Sequence, residues 1–235
     1  GLVGSGKTEL LKCLYNIYKF RDGEIKYSDN GNDLKNRDNK KSLKTLYFGF
    51  IPEDRKREGL FLNLDVIHNI TISSLKSFLR FLLIRKKEEI KLVEKLIKEL
   101  NINTSSLYQK VNFLSGGNQQ KVVLARWLSS GKSILLMDEP TRGVDVLGKI
   151  EIYRLINQLS KKGVTLLFSS SDFSEVMSIS DRIGVMRDGK MIKIFNRNEF
   201  SKKKILKTMT IDLTWRRKLR VSNEKERYDG IRRKK

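Results

Sequence analysis

The sequence predicts an α/β fold: a mostly parallel sheet flanked by helices, with an α-helical segment inserted into it. Three stretches carry that prediction. Gly1–Thr8 fits G-x-x-x-x-G-K-[ST], a phosphate-binding loop, and runs straight into an amphipathic pattern over Glu9–Leu14. Ile134–Met137 is apolar on both faces, as a central parallel strand is, and ends in Asp138-Glu139-Pro140. Between them, Leu114-Ser115-Gly116-Gly117 makes a Gly-rich turn at the start of a helical pattern, Asn118–Ser129.

Each stretch implies a chemistry. In the first, the glycines Gly1, Gly4 and Gly6 let backbone N–H groups, that of Ser5 among them, close around phosphates without a glycine Cβ in the way. Lys7 brings positive charge to the β and γ phosphates, and Thr8 offers a hydroxyl to Mg²⁺. In the second, paired acids stand at the C-terminal end of a strand, where open α/β sheets hold their ligands. In the third, two glycines at a helix start leave N–H groups pointing outward, and the helix dipole adds partial positive charge. Gln119, Val122, Val123 and Trp127 share one face of the helix that follows and are expected to pack inward.

The remaining elements follow in order. Gly23–Tyr27 alternates briefly as a strand does, and polar Asp29–Ser42 reads as loop. Leu46–Pro52 is a strand stopped by proline, followed by a charged loop, Glu53–Leu60. Lys86–Leu100 is amphipathic, with Ile90, Val93, Leu96, Ile97 and Leu100 on one face. Ile150–Lys161 is a further helix and Val164–Ser169 a buried strand. A short helix over Ser174–Ile179 precedes two strands about Asp188-Gly189, a hairpin signal.

Composition bounds the rest. With 235 residues and 39% apolar content, one large domain or a core with a subdomain is expected. Cys13 is the only cysteine, which excludes an internal disulfide framework. The net charge of +22 invites a nucleic-acid reading, but no aromatic-rich basic strand pair or helix-turn-helix pattern accompanies it. Much of the excess lies between Lys202 and Lys235, where Trp215–Arg220 is a candidate for acidic lipid headgroups.

Together, Gly1–Thr8, Leu114–Gln120 and Ile134–Glu139 resemble the nucleotide-binding domain of ATP-binding-cassette (ABC) transporters, a P-loop NTPase fold. Pro52–Lys56 with Gly59-Leu60, then SGGNQQKVVLARWL, then DEPTRGVDV, is similar to the second ATPase half of tandem importers for ribose, galactose, xylose and related solutes. The resemblance implies ATP and Mg²⁺ as cofactors, with Thr8, Asp138 and Glu53 around the metal. It implies that Glu139 orients the attacking water. Ser115, Gly116 and Gly117, with Gln119 nearby, would meet the γ-phosphate held by a second nucleotide-binding domain, and Asp145 would sit near that seam.

Two positions depart from the family pattern. Glu53 stands where most ABC ATPases carry Gln, and Ser171 stands at the position of the usual switch His. The only histidine, His68, is read as structural. Both departures imply slow hydrolysis at the site containing Lys7.

The expected organisation is an ATP-binding core over 1–62 and 127–200, a helical subdomain over 63–126 carrying the Leu114–Gln120 motif, and a poorly ordered basic tail over 201–235. A phosphate loop follows a strand. That strand, and the family's adenine-stacking aromatic residue, are therefore expected upstream of Gly1, in an N-terminally truncated fragment. The resemblance implies a membrane permease and a periplasmic or extracellular solute-binding protein as partners, no nucleic acid, and a peripheral place on the cytoplasmic face of the plasma membrane. The charged Glu53–Glu58 loop is the expected permease contact. Competing functions are a hydrolytically weak module that completes the partner's site, and a soluble ABC ATPase acting on ribosomes or nucleic acid.

Overall fold

The computed structural model describes residues 1–19, 22, 25, 28–29, 32–33, 48–80 and 83–210. These form two compact units: Thr8–Ser170, and Gly1–Lys7 together with the described residues from Ser171 onward. Most of the expected Gly23–Tyr27 strand, of the Asp29–Ser42 loop and of the basic tail lies outside the described residues, as does the start of the Leu46–Pro52 strand.

The larger unit is built on a parallel sheet. Helix α1 (Lys7–Leu14) leads into it, followed by a two-residue antiparallel pair, β1 (Ser28–Asp29) and β2 (Asn32–Asp33). Strand β3 (Phe48–Ile51) is buried along its whole length. Leu11 of α1 packs with Phe48 and Phe50 of that strand and with Leu136, while Tyr15 stacks on Phe50 at 5.2 Å between ring centroids. The apolar stripe of α1 thus fixes the helix on the sheet, and with it Thr8.

Helices dominate the next segment. Asp65 caps α2 (Val66–Thr71) by accepting the His68 backbone N–H at 3.0 Å. A second small antiparallel pair, β4 (Leu79–Arg80) and β5 (Leu83–Ile84), precedes α3 (Lys86–Glu99), whose Val93 and Leu96 are buried as its periodicity predicts. Helix α4 (Gly116–Ser129) starts two residues earlier than expected, because Ser115 serves as its N-cap. Val122 and Val123 are fully buried, and Trp127 donates its indole N–H to the Phe50 carbonyl at 2.8 Å.

The chain then returns to the sheet. Strand β6 (Ile134–Asp138) pairs in parallel with β3, so that the described strand order is β3-β6-β7 once β7 (Thr165–Ser169) is added on its other side. Helix α5 (Val146–Lys161) connects β6 to β7; it begins before Ile150 because Asp145 caps it, accepting the Gly148 N–H at 2.8 Å. The expectation of a buried β7 is corrected: Thr165 and Leu167 are exposed. In the described sheet β7 is an edge strand, and its side chains alternate between covered and open faces.

The charged loop after β3 is also corrected. Residues Arg55–Gly59 form a single π-helical turn, started by Asp54, whose Oδ1 accepts the backbone N–H groups of Lys56 and Arg57 at 3.1 Å each.

In the smaller unit, α6 (Phe173–Ile179) precedes the antiparallel hairpin β8 (Arg182–Arg187) and β9 (Lys190–Asn196). Asp188 and Gly189 both have positive φ, 49° and 75°, as this two-residue turn requires. The expected tail opens with a helix, α7 over 202–210. Its Ile205 is fully buried against Ile183, Val185 and Phe195, a burial that orders the segment despite its lysines.

Candidate functional site

The phosphate loop belongs to the smaller unit, together with the hairpin turn. Gly4 and Gly6 take left-handed backbone, with φ of 77° and 91°. At Gly6 a Cβ would also come within 2.8 Å of the Gly189 Cα, so both conformation and space call for glycine. The Ser5 N–H donates to the Leu2 carbonyl at 3.1 Å, and the Ser5 carbonyl accepts from the Gly189 N–H at 3.0 Å. The Ser5 hydroxyl is buried and has no hydrogen-bond partner among the described residues. Gly1 is as tight: a Cβ there would meet the Ser5 Oγ at 2.3 Å. Lys7 is the first residue of α1.

In the larger unit, Thr8 and Asp138 meet. The Thr8 hydroxyl donates to Asp138 Oδ1 at 3.1 Å. The Ser169 hydroxyl, placed opposite Asp138 by the parallel register, donates to the same oxygen. Asp138 is 0% exposed, and its Oδ2 is buried without a hydrogen-bond partner among the described residues. A buried carboxylate oxygen left unpaired is costly, which marks the place of a missing partner. A hard divalent cation with oxygen ligands suits it, so Thr8 and Asp138 fit the expected Mg²⁺.

Glu139 follows with a φ of 45°, unusual for a residue with a side chain. Its N–H donates to the Ser169 carbonyl at 2.9 Å, which helps hold the turn against that strain. Glu53, the third residue expected at the metal, is instead ion-paired to Arg142, with both side chains partly exposed. Ser171 begins the described residues of the smaller unit after Ser170.

A second group of predicted residues gathers at two helix starts. Ser115 Oγ accepts from the Asn118 backbone N–H at 3.4 Å and from its Nδ2 at 3.0 Å. Gly117 lies against the start of α5, where a Cβ would sit 3.6 Å from the Gly148 Cα. Asp145, the cap of α5, is therefore beside the Ser-Gly-Gly turn. Gln119 is turned inward, its amide donating to the Val111 carbonyl at 3.1 Å, so its contribution is support of the turn from below. His68 stays local, its Nδ1 2.5 Å from the capping Asp65.

Two residues here escape sequence reasoning. Ser169 was visible only as the end of an apolar run, although the register of two parallel strands makes it a neighbour of Asp138. Arg55 stands in the charged loop expected to meet the permease, yet it is buried and donates to the carbonyls of Arg142 and Gly143.

Known proteins resemble this chain in sequence and in fold. Residues 1–142 match the ABC transporter family. The ribose import ATP-binding protein RbsA of Lactococcus lactis subsp. cremoris (strain SK11) is 40% identical over 210 residues, covering 89% of this chain and 42% of that protein. The RbsA of Bacillus subtilis (strain 168) is 41% identical over 212 residues, with 89% and 42% covered. The xylose import ATP-binding protein XylG of Geobacillus kaustophilus (strain HTA426) is 40% identical over 212 residues, with 89% and 41% covered. The chain thus spans well under half the length of these curated relatives. A dimeric post-hydrolysis structure of the ATP-binding cassette MJ0796 with ADP and Pi shares the fold, at a TM-score of 0.67 and 23% identity over 84% of this chain and 83% of that one. On the family match and the identities to these relatives, the chain belongs to the ABC transporter family.

Proposed function

We propose that this chain is an ATP-binding and ATP-hydrolysing domain that energises import of a monosaccharide or similar small solute through a separate membrane permease. The observation that carries the reading is the Thr8–Asp138 contact with its orphaned buried oxygen, in a chain whose relatives are named for ribose and xylose import. Gly1, Gly4, Ser5, Gly6 and Lys7 bind the phosphates of ATP, and Thr8 and Asp138 hold Mg²⁺. The metal, when bound, neutralises charge on the β and γ phosphate oxygens. Glu139 orients the attacking water and accepts its proton. Ser115, Gly116 and Gly117 complete the site of a second nucleotide-binding domain, with Asp145 beside them at the seam.

The domain's own site turns over slowly. Ser171 lacks the imidazole expected at its position, and Glu53 is engaged by Arg142. A carboxylate so paired is less repelled by phosphate and less available to a metal. The exposed Lys56, Arg57 and Glu58 of the π-helical turn contact the permease. Among the described residues no helix is long and apolar enough to cross a membrane.

The test is ATP hydrolysis by the complete protein reconstituted with its permease, with and without solute. Solute-accelerated hydrolysis supports the reading. A complete assembly that neither binds nor hydrolyses MgATP, or a protein that co-purifies with ribosomes instead of a permease, refutes it.

A further inference from the structure

One guanidinium stands where three stretches of the candidate site meet. Arg55 opens the π-helical turn after Glu53 and is 7% exposed. Its Nη1 donates to the Arg142 carbonyl at 2.5 Å and its Nη2 to the Gly143 carbonyl at 2.9 Å. Both acceptors lie between Glu139 and Asp145. The same Nη2 also closes on the Ser-Gly-Gly turn: a Cβ on Gly116 would sit 2.6 Å from it and 2.6 Å from the Gly143 carbonyl oxygen. Arg142 is gripped at its other end too, since its side chain pairs with Glu53.

This is an expensive way to fill space. The Arg55 fork meets two carbonyls, and its Nε is buried with no partner among the described residues. Burial pulls its pKa down, and only the neighbouring Asp54 pushes it back up. An apolar side chain of similar length would fill the same volume without a charge to desolvate. What the guanidinium adds is a rigid fork that two backbone carbonyls must match, and a positive charge close behind Gly116.

We propose that Arg55 is a positioning residue that ties the Glu53 loop, the Ser115–Gly117 turn and the Glu139–Asp145 segment into one body, so that the turn reaches the γ-phosphate held by the partner domain. The inference rests on the reading of that turn given above. Arg55 acts through the backbone and does not itself touch nucleotide. Its removal leaves the Arg142 and Gly143 carbonyls without their donor and lets the turn drift. Misplacement of a phosphate-contacting group by about 1 Å costs on the order of 10²-fold in rate.

The experiment measures steady-state hydrolysis by the complete protein in Arg55→Met, Arg55→Lys and Asn69→Ala. Asn69 belongs to the buried network around Arg126 and serves as the stability control. Arg55→Met is expected to lower kcat about 10²-fold while KM for MgATP stays within about twofold. Arg55→Lys keeps the charge but not the fork, so it recovers only part of the rate, about tenfold below the parent. Asn69→Ala loses thermal stability and keeps its kcat. A parental kcat in Arg55→Met overturns the proposal, as does a loss no larger than that of Asn69→Ala at equal thermal stability, or a loss accompanied by a matching rise in KM. Should Arg55→Met not fold, a parental kcat in Arg55→Lys overturns it alone. A parent protein inert towards MgATP strikes the underlying functional reading instead.

Discussion

Thr8 and Asp138 are 130 positions apart in the chain, and the hydroxyl of one donates to the carboxylate of the other at 3.1 Å. The contact is made by packing, not by local sequence. Leu11, one turn after Thr8, anchors α1 on Phe48, Phe50 and Leu136, and the end of β6 then brings Asp138 to the helix start. Helix and strand deliver one oxygen-bearing side chain each to the same point.

The first prediction follows from that point. Thr8→Val keeps the shape of the side chain and removes its oxygen, and Asp138→Asn removes the charge proposed to hold the cation. Each is expected to weaken MgATP binding by at least about tenfold. ATP affinity with the metal chelated should change little in Thr8→Val, because Gly1, Gly4, Ser5, Gly6 and Lys7, the residues proposed to hold the phosphates, are untouched. Titration calorimetry with and without EDTA reads both. Equal losses in the two conditions would place Thr8 on the phosphates and not on the metal.

The second prediction concerns the proposed asymmetry of the two sites. If the site containing Lys7 contributes little turnover, Glu139→Gln lowers the hydrolysis rate of the complete protein by less than about twofold, whereas loss of a working general base lowers it by about 10²-fold or more. The matching change in the other nucleotide-binding domain should show that larger loss. Rate measurements on the two single variants decide it, and equal losses would end the asymmetry.

These sites were legible to unequal degrees, for a physical reason. Gly1–Thr8, Leu114–Gly117 and Ile134–Glu139 are contiguous, and each carries its chemistry at a spacing set by one turn or one strand. Hidden from the sequence were the contacts made by folding. Arg55 meets its acceptors 87 and 88 positions away, Glu53 meets Arg142 across 89, and Ser169 meets Asp138 across 31. A charged loop reads as solvated because nothing local signals which of its side chains will be buried. The same limit applies to β7, where an apolar run does not say whether both faces are covered, and to the helix over 202–210, where lysines mask the stripe that ends at Ile205 and Met209.

A third prediction tests the buried network of the helical segment. Arg126 donates to the Gly59 carbonyl at 2.6 Å, the Asn69 carbonyl at 2.7 Å and Asn69 Oδ1 at 2.9 Å. Burial lowers its pKa to about 10, still well above neutrality, so it donates as a cation. Arg126→Ala strands these acceptors in the interior and should destabilise the protein by about 3 kcal/mol. Arg57, whose side chain is 88% exposed in its pair with Asp54, is the contrast: Arg57→Ala should change stability by less than about 0.5 kcal/mol. Urea unfolding of both variants gives the two numbers.

The fourth prediction concerns how closely α4 approaches the sheet. Gly49 is in the middle of β3, and a Cβ there would sit 2.7 Å from Trp127 Cγ and 2.8 Å from Leu135 Cδ2. Neither neighbour is free to yield. The Trp127 indole is tied to the Phe50 carbonyl at 2.8 Å and meets the Tyr15 ring edge-on at 6.3 Å, while Leu135 is fully buried. Gly49→Ala should therefore destabilise the protein by about 1–3 kcal/mol, although alanine is the better strand residue by propensity. Trp127→Leu opens the space at the cost of the indole hydrogen bond. In the double variant the alanine should then cost less than in the parent, by at least about 0.5 kcal/mol, and a thermodynamic cycle from urea unfolding measures that coupling. Additive losses would mean that Leu135, and not the indole, sets the distance between helix and strand.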